Sequence, residues 1–181
     1  MKNEKNENPG QKQRSMLMGM FADRESSENA HLTLHDLGYS SDDITLIMSD
    51  ETRRKYFTDD DSETEMQTDA VQREREDSAL DDNNGAIGGI AAAIETSFKL
   101  PGEGVLIAGP IAEEVAHART INKGINGVLV DAGITQAQAK SYESGIRRGQ
   151  VVIGVYTRSE EDAQEIESSW DSYNGIEIHA N

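Results

Sequence analysis

His31 and His35 stand four residues apart, a spacing that on a helix presents two imidazoles from one face, as helical zinc sites do. No glutamate base lies between them and no clear third ligand accompanies them, since Asp36 points elsewhere. A solvated or capping role is therefore the reading expected of the pair, and no metal ligand is assigned. The carboxylates of DDDSETEMQTD, from Asp59 to Asp69, invite calcium. An EF-hand loop needs a central glycine and a glutamate at a fixed offset, and this stretch has no glycine, which leaves only diffuse attraction of cations. Arg147 and Arg148, beside Gly149, could hold an anion, but they also occupy what reads as the last turn of a helix, where cations complement the carbonyl end. The Gly-x-x-Gly-Gly run at 85 to 89 follows no strand and precedes no Walker lysine, so it is not a nucleotide loop. No nucleophile elbow or paired general base is legible. No catalytic or cofactor-binding residue is assigned, no cofactor is expected, and the chain reads as a non-enzyme.

Composition narrows the remaining classes. The chain has 181 residues, no cysteine, and 34 acidic against 17 basic residues, for a formal charge of −17. Disulfides and cysteine metal sites are excluded. So strong a negative charge repels phosphate backbones and anionic lipid, which argues against nucleic acid or the membrane surface as a partner. Residues 1 to 13 are polar, and no stretch approaches the roughly 20 apolar residues of a membrane span, so a soluble, cytoplasmic protein is expected. With 35% hydrophobic residues and only 5% aromatics, one modest and mostly aliphatic core is affordable.

The elements that must carry these residues fall into five blocks. Residues 1 to 13 read as a disordered tail. Residues 14 to 49 read as strand, helix, strand: RSMLMGMFA, then a helix capped by Asp23 and stopped by Gly38, then ITLIMS. Residues 50 to 84 are so acidic and so poor in apolar side chains that they read as a flexible linker, whose replacement by a short Gly/Ser bridge should leave the melting temperature nearly unchanged, a drop of more than about 8 °C showing instead that the segment is packed. Residues 85 to 134 read as a Gly/Ala-rich helical hairpin insertion, with LPGEG a turn, VLIAG extended and Pro110 opening a helix. Residues 135 to 181 read as helix, strand, helix, strand. Thr135 and Gln138 form a capping box there, Ser159 is a cap, and Ala163, Ile166, Trp170 and Tyr173 share a buried face.

Without residues 50 to 148 the order is βαββαβ, so the expected fold is an α+β, ferredoxin-like sandwich. Its two central strands, Met16 to Ala22 and Val151 to Thr157, are apolar on both faces, and each carries a glycine, Gly19 and Gly154, where another backbone could come close. Helices on one side cover one face. The other must be covered by the insertion or by a second subunit. Gly85, Gly89 and Ala93, spaced by four, add a small-residue stripe suited to close helix packing. A soluble homo-oligomer, most simply a dimer, is expected through Gly19, Gly154 or this stripe.

The segments LHDLGYSSDDITLIMSDE, LPGEGVLIAGPIA and DAGITQAQAKSYESGIRRGQVVIGV, in that order, resemble the bacterial heat-induced or general stress protein family, also described as low-temperature-induced proteins. The resemblance covers residues 14 to 49 and 85 to 179. It implies two halves of a small α/β domain flanking a glycine-rich hairpin, and a stress-associated protein of unknown biochemical activity acting through self-association or protein interaction. The rival class is a small-ligand regulatory module, on fold analogy alone.

Overall fold

Strands that are apolar at every position cannot serve a sheet with one wet face. The computed structural model, which describes residues 15–57, 90, 93–118 and 123–180, shows how that demand is met. The tail 1–13, the acidic stretch 58–84 and the glycines Gly85, Gly88 and Gly89 lie outside the described residues.

The chain is mixed α/β and built on a six-stranded antiparallel sheet. β1 is Met16–Phe21, β2 Ile44–Ser49, β3 Phe98–Leu100, β4 Val105–Ala108, β5 Val151–Tyr156 and β6 Ile176–Ala180, in the spatial order β3-β4-β2-β5-β1-β6. The four strands expected from the sequence are contiguous, and the two expected at the centre, β1 and β5, pair over six residues from Met16↔Tyr156 to Phe21↔Val151. Four strands were expected and six are found. The correction comes from the insertion, which contributes a β-hairpin as well as helices: β4 pairs with β2 from Leu46↔Ala108 to Ser49↔Val105, and β3 caps the edge.

Six α-helices longer than one turn have bounded ranges among the described residues: α1 Arg24–Asp36, α2 Asp50–Phe57, α3 Pro110–Ala118, α4 Gly124–Asp131, α5 Gln136–Arg147 and α6 Glu160–Ser172. Their starts follow local chemistry. Asp23 accepts from the Ser26 N–H at 2.8 Å, Thr135 and Gln138 make the reciprocal box, and Ser159 accepts from the Asp162 N–H at 3.1 Å. α2 corrects the expected linker, because residues 50–57 belong to the folded body. The Ser49 hydroxyl accepts from the Thr52 N–H at 3.0 Å, Thr52 is buried, and Asp50 bonds Arg53, Arg54 and, across to β3, Lys99. A deletion beginning at residue 50 would remove this helix.

Each sheet face carries its own core. On the first, Leu17, Phe21, Leu46, Ile153 and Val155 meet Ala30 and Leu34 of α1 and Ile166 and Trp170 of α6, joined by Ile90 and Ala93. On the second, Met16, Met18, Met20, Ile47, Ile107 and Val152 meet Ile111 and Val115 of α3, Ile125, Val128 and Leu129 of α4, and Ala139, Tyr142 and Ile146 of α5. The molecule thus has three layers, and the face for which the sequence left a second subunit open is covered by the chain's own helices. α3 manages this despite its charges by amphipathicity: Ile111 and Val115 turn inward while Glu113 and Glu114 stay exposed.

The join between β4 and α3 depends on Gly109. Its φ is +79°, and a Cβ there would lie 2.1 Å from the Ile44 carbonyl oxygen, a backbone atom that cannot swing aside. Gly133, after α4, has φ +91° but nothing within 4 Å of a would-be Cβ. Gly109→Ala is therefore expected to lower stability by about 3 kcal/mol or more, adding a clash to the strained backbone, whereas Gly133→Ala should cost about 1–2 kcal/mol from the backbone alone. Urea denaturation of both variants checks this, and equal losses would show that the approach of Gly109 to β2 is not tight.

Candidate functional site

Two of the glycines expected to face a partner, Gly19 and Gly154, are covered by the chain itself. Gly19 and Gly154 lie on paired strands but open to opposite faces: a Cβ on Gly19 would meet Trp170 at 3.0 Å, and one on Gly154 would meet Met18 at 3.0 Å. Each glycine accommodates a large side chain of the same molecule, so neither offers a surface to a second subunit. Ala93 is buried in the first-face core, and Gly85 and Gly89 lie outside the described residues. Of the two arginines Arg147 is claimed by carboxylates, reaching Glu143 at 2.9 Å and Glu103 at 3.1 Å, while Arg148 lies exposed at the end of α5. Among the described residues no three histidine, aspartate or glutamate side chains converge as a metal cage would require.

The histidine pair is not where the sequence put it. His31 is fully buried rather than solvated or capping, and both of its ring nitrogens lack a hydrogen-bond partner. His35, one turn on and half-buried, packs edge-on against it with centroids 4.6 Å apart and planes at 66°, and its Nε2 is also enclosed and unpartnered. Burial, reinforced by His35, holds the His31 pKa down at about 4. The ring is neutral at pH 7. Sequence spacing identified the pair, but its burial could not be read from spacing.

Two hydroxyls missed by the sequence reading tie distant segments together. Tyr39, in the turn after α1, donates to Asp162 Oδ2 at 2.9 Å, accepts from the Arg158 N–H at 3.1 Å, and lies under the Arg158 guanidinium at 4.1 Å. Arg158 also bonds Asp162 at 2.9 Å, and the hydrogen bonds from Arg158 and Tyr39 hold the Asp162 carboxyl below its ordinary value. The cluster fastens the end of α1 to the start of α6. Tyr142, on α5, reaches the opposite edge of the sheet. Its hydroxyl lies 2.8 Å from the Glu177 carbonyl and 3.2 Å from the Met18 carbonyl, where the β1–β6 register shifts between Met18 and Met20 and Glu177 takes φ +53°. A bulge removes ladder bonds, and this hydroxyl replaces one of them. Burial, with the Glu177 carboxylate adding, raises the phenol well above its ordinary pKa, so it remains a donor.

Beside β6 runs an open groove of about 640 Å³ between that strand and α6, lined by Gln164, Glu167, Asp171, Glu177, Ile178 and His179 among others. Its wall is acidic and its floor partly apolar. His179 bonds Glu177 at 3.1 Å on the rim, and Ile176 alongside is 40% exposed. No element of the described chain pairs with the outer side of β6.

No protein-family model matches this chain, and no curated protein or solved structure matches it either.

Tyr142→Phe should cost about 1–2 kcal/mol, because it strands a buried carbonyl without changing the packing, and should lower the melting temperature by about 3–6 °C. Thermal unfolding followed by circular dichroism reads this. An unchanged midpoint would mean that the hydroxyl contributes nothing at the bulge.

Proposed function

We propose that this chain is a non-enzymatic, stress-associated protein of ferredoxin-like type that works by holding a cationic segment of another protein along its α6–β6 margin. In this reading β2, β5, β1 and β6 with α1 and α6 are the ferredoxin-like core, and the insertion adds the β3–β4 hairpin and the second helical layer. The stress association rests on the sequence resemblance. The observation that carries the interaction is the acidic groove beside β6, with Glu167 and Asp171 on one wall and Glu177 on the other. Charge decides the class of partner: two copies meeting at this margin would set these carboxylates against one another, whereas a basic segment would neutralise them. The glycine-bearing sheet faces, the original ground for a dimer, are filled by Trp170 and Met18. A bulge and charged side chains also blunt β6 against pairing with its own copy.

A second reading, a small-ligand regulatory module, draws on the groove's volume, which lies within the range of small-molecule sites. Its openness to solvent and its acidic walls favour an extended cationic chain over an enclosed ligand.

Fluorescence anisotropy with a labelled oligolysine peptide tests the proposal. The double charge reversal Glu167→Lys with Asp171→Lys should weaken binding at least tenfold more than the remote reversal Glu51→Lys with Glu95→Lys, with stability changed by about 0.5 kcal/mol or less in each. Equal losses from both pairs would mean that the attraction is only that of the whole −17 chain, and the groove would have no role. Sedimentation equilibrium at low and high salt is the companion measurement, with a monomer expected.

A further inference from the structure

The face of α1 turned toward the protein interior carries Ser27, Ala30, His31 and Leu34, all buried. The side chains that meet this helix from the strands below are apolar: Leu17 and Phe21 from β1, and Val151, Ile153 and Val155 from β5. From α6 come Ile166 and Trp170, whose indole N–H donates to the Ala30 carbonyl at 3.1 Å. The ionisable groups described near α1 are either already engaged or exposed to solvent. On the helix itself Glu28 is bonded by Arg24 at 2.6 Å, and Asp36 lies exposed at its end. On α6, Asp162 is held by Arg158 and Tyr39, while Glu165, Glu167 and Asp171 are exposed. On β5, Tyr156 belongs to the other face of the sheet. Tyr39, in the turn, is bonded to Asp162. Among the described residues the ionisable group whose charge acts on His31 is His35, and protonated it would repel.

Three imidazole nitrogens are thus enclosed without a partner, two on His31 and one on His35. A buried polar group left unbonded is a standing cost, tolerable for a neutral ring and severe for a charged one. Metal would satisfy these nitrogens, but two imidazoles with no third donor among the described residues make a poor cage for a divalent ion.

We propose that the His31–His35 pair is an acid-operated latch: neutral, the two rings let α1 seat on the sheet, and protonation drives α1 off and uncovers the apolar face beneath. The direction follows from linkage. Folded, His31 binds its proton at about pH 4; on a detached helix it does so at its ordinary 6.5. The stability contributed by seating the neutral ring is fully present above pH 6.5 and drains away as pH falls toward 4. By pH 4.5 the balance between seated and detached α1 shifts by on the order of a hundredfold. Asp162, held below its ordinary carboxyl value, loses its contribution only beneath that range, so it leaves the window clear. Partial neutralisation of the acidic surface works in the opposite sense, relieving self-repulsion. Loosening between pH 6.5 and 4.5 is therefore a signature of the histidines.

Hydrogen exchange of the full chain at pH 7.0 and 4.5, corrected for intrinsic rates, reads the latch directly. Wild-type peptides from 24–36 should lose protection by about a hundredfold while β5 peptides lose far less, and His31→Leu should hold α1 protection constant across the two pH values. If His31→Leu does not fold, the titration of the two imidazole C–H resonances in the wild type decides, with one ring expected to titrate near pH 4 in step with the loss of α1 protection. The latch is overturned if wild-type α1 protection is the same at both pH values, if His31→Leu loosens equally, or if His31 titrates near 6.5 with α1 still seated. Uptake of zinc by the wild type at pH 7 that His31→Leu abolishes would overturn it as well, since the nitrogens would then be occupied by metal.

Discussion

Everything in this molecule depends on the need to keep water from both faces of one sheet. β1 is buried at all six positions and β5 at five of six, so each face must be roofed along its length. The chain does so with elements drawn from different places. α1 and α6 close one side, and α3, α4 and α5 close the other, so the insertion is a structural layer of the fold. The same demand explains the residue choices at the centre. Aliphatic side chains fill most of the space, methionines supply adaptable volume on the second face, and glycine appears where a neighbour is too large to share the row.

The two long edges of the sheet are treated differently from its faces. β3 is only three residues long and carries Lys99, which is drawn to Asp50 of α2. β6 is broken by a bulge that needs a hydroxyl from α5 to complete its bonding. Short, charged or bulged edges resist pairing with other chains, so the margin of this protein is better suited to contacts made by side chains than to added strands. The groove beside β6 fits that description, with its acidic walls and half-buried Ile178.

Much of this architecture was legible because it is written in local patterns. The capping residues Asp23, Thr135 with Gln138, and Ser159 mark helix starts through bonds made within three residues. The six-residue apolar runs marked the central strands because burial on both faces erases alternation. What escaped were features whose cause lies elsewhere in the chain. β3 is too short to show a period and is a strand only because β4 lies beside it. α2 is polar over most of its length, and its helix is held by Asp50's ion pairs, a single buried threonine and Phe57 against the first-face core, which no apolar stripe announces. The bonds of Tyr39 to Asp162 and of Tyr142 to the Glu177 carbonyl join residues far apart in sequence. The spacing of His31 and His35 was plain, but a polar side chain on an otherwise amphipathic helix reads as solvent-facing, and only the packing of α1 shows that it is not.

The central pairing of β1 with β5 carries a consequence for the birth of the protein. Met16 finds its partner in Tyr156, so a strand buried at all six positions leaves the ribosome long before the strand that will shelter it. At about 5–20 residues per second, roughly 7–30 s separate the two during synthesis. Closing so long a loop is entropically only modestly worse than closing one half its length, by about 0.6 kcal/mol, but its contacts reward the chain late. Through that interval the methionine-rich strand of the nascent chain is without its central partner, and like charge on a chain of formal charge −17 opposes contact between neighbouring copies.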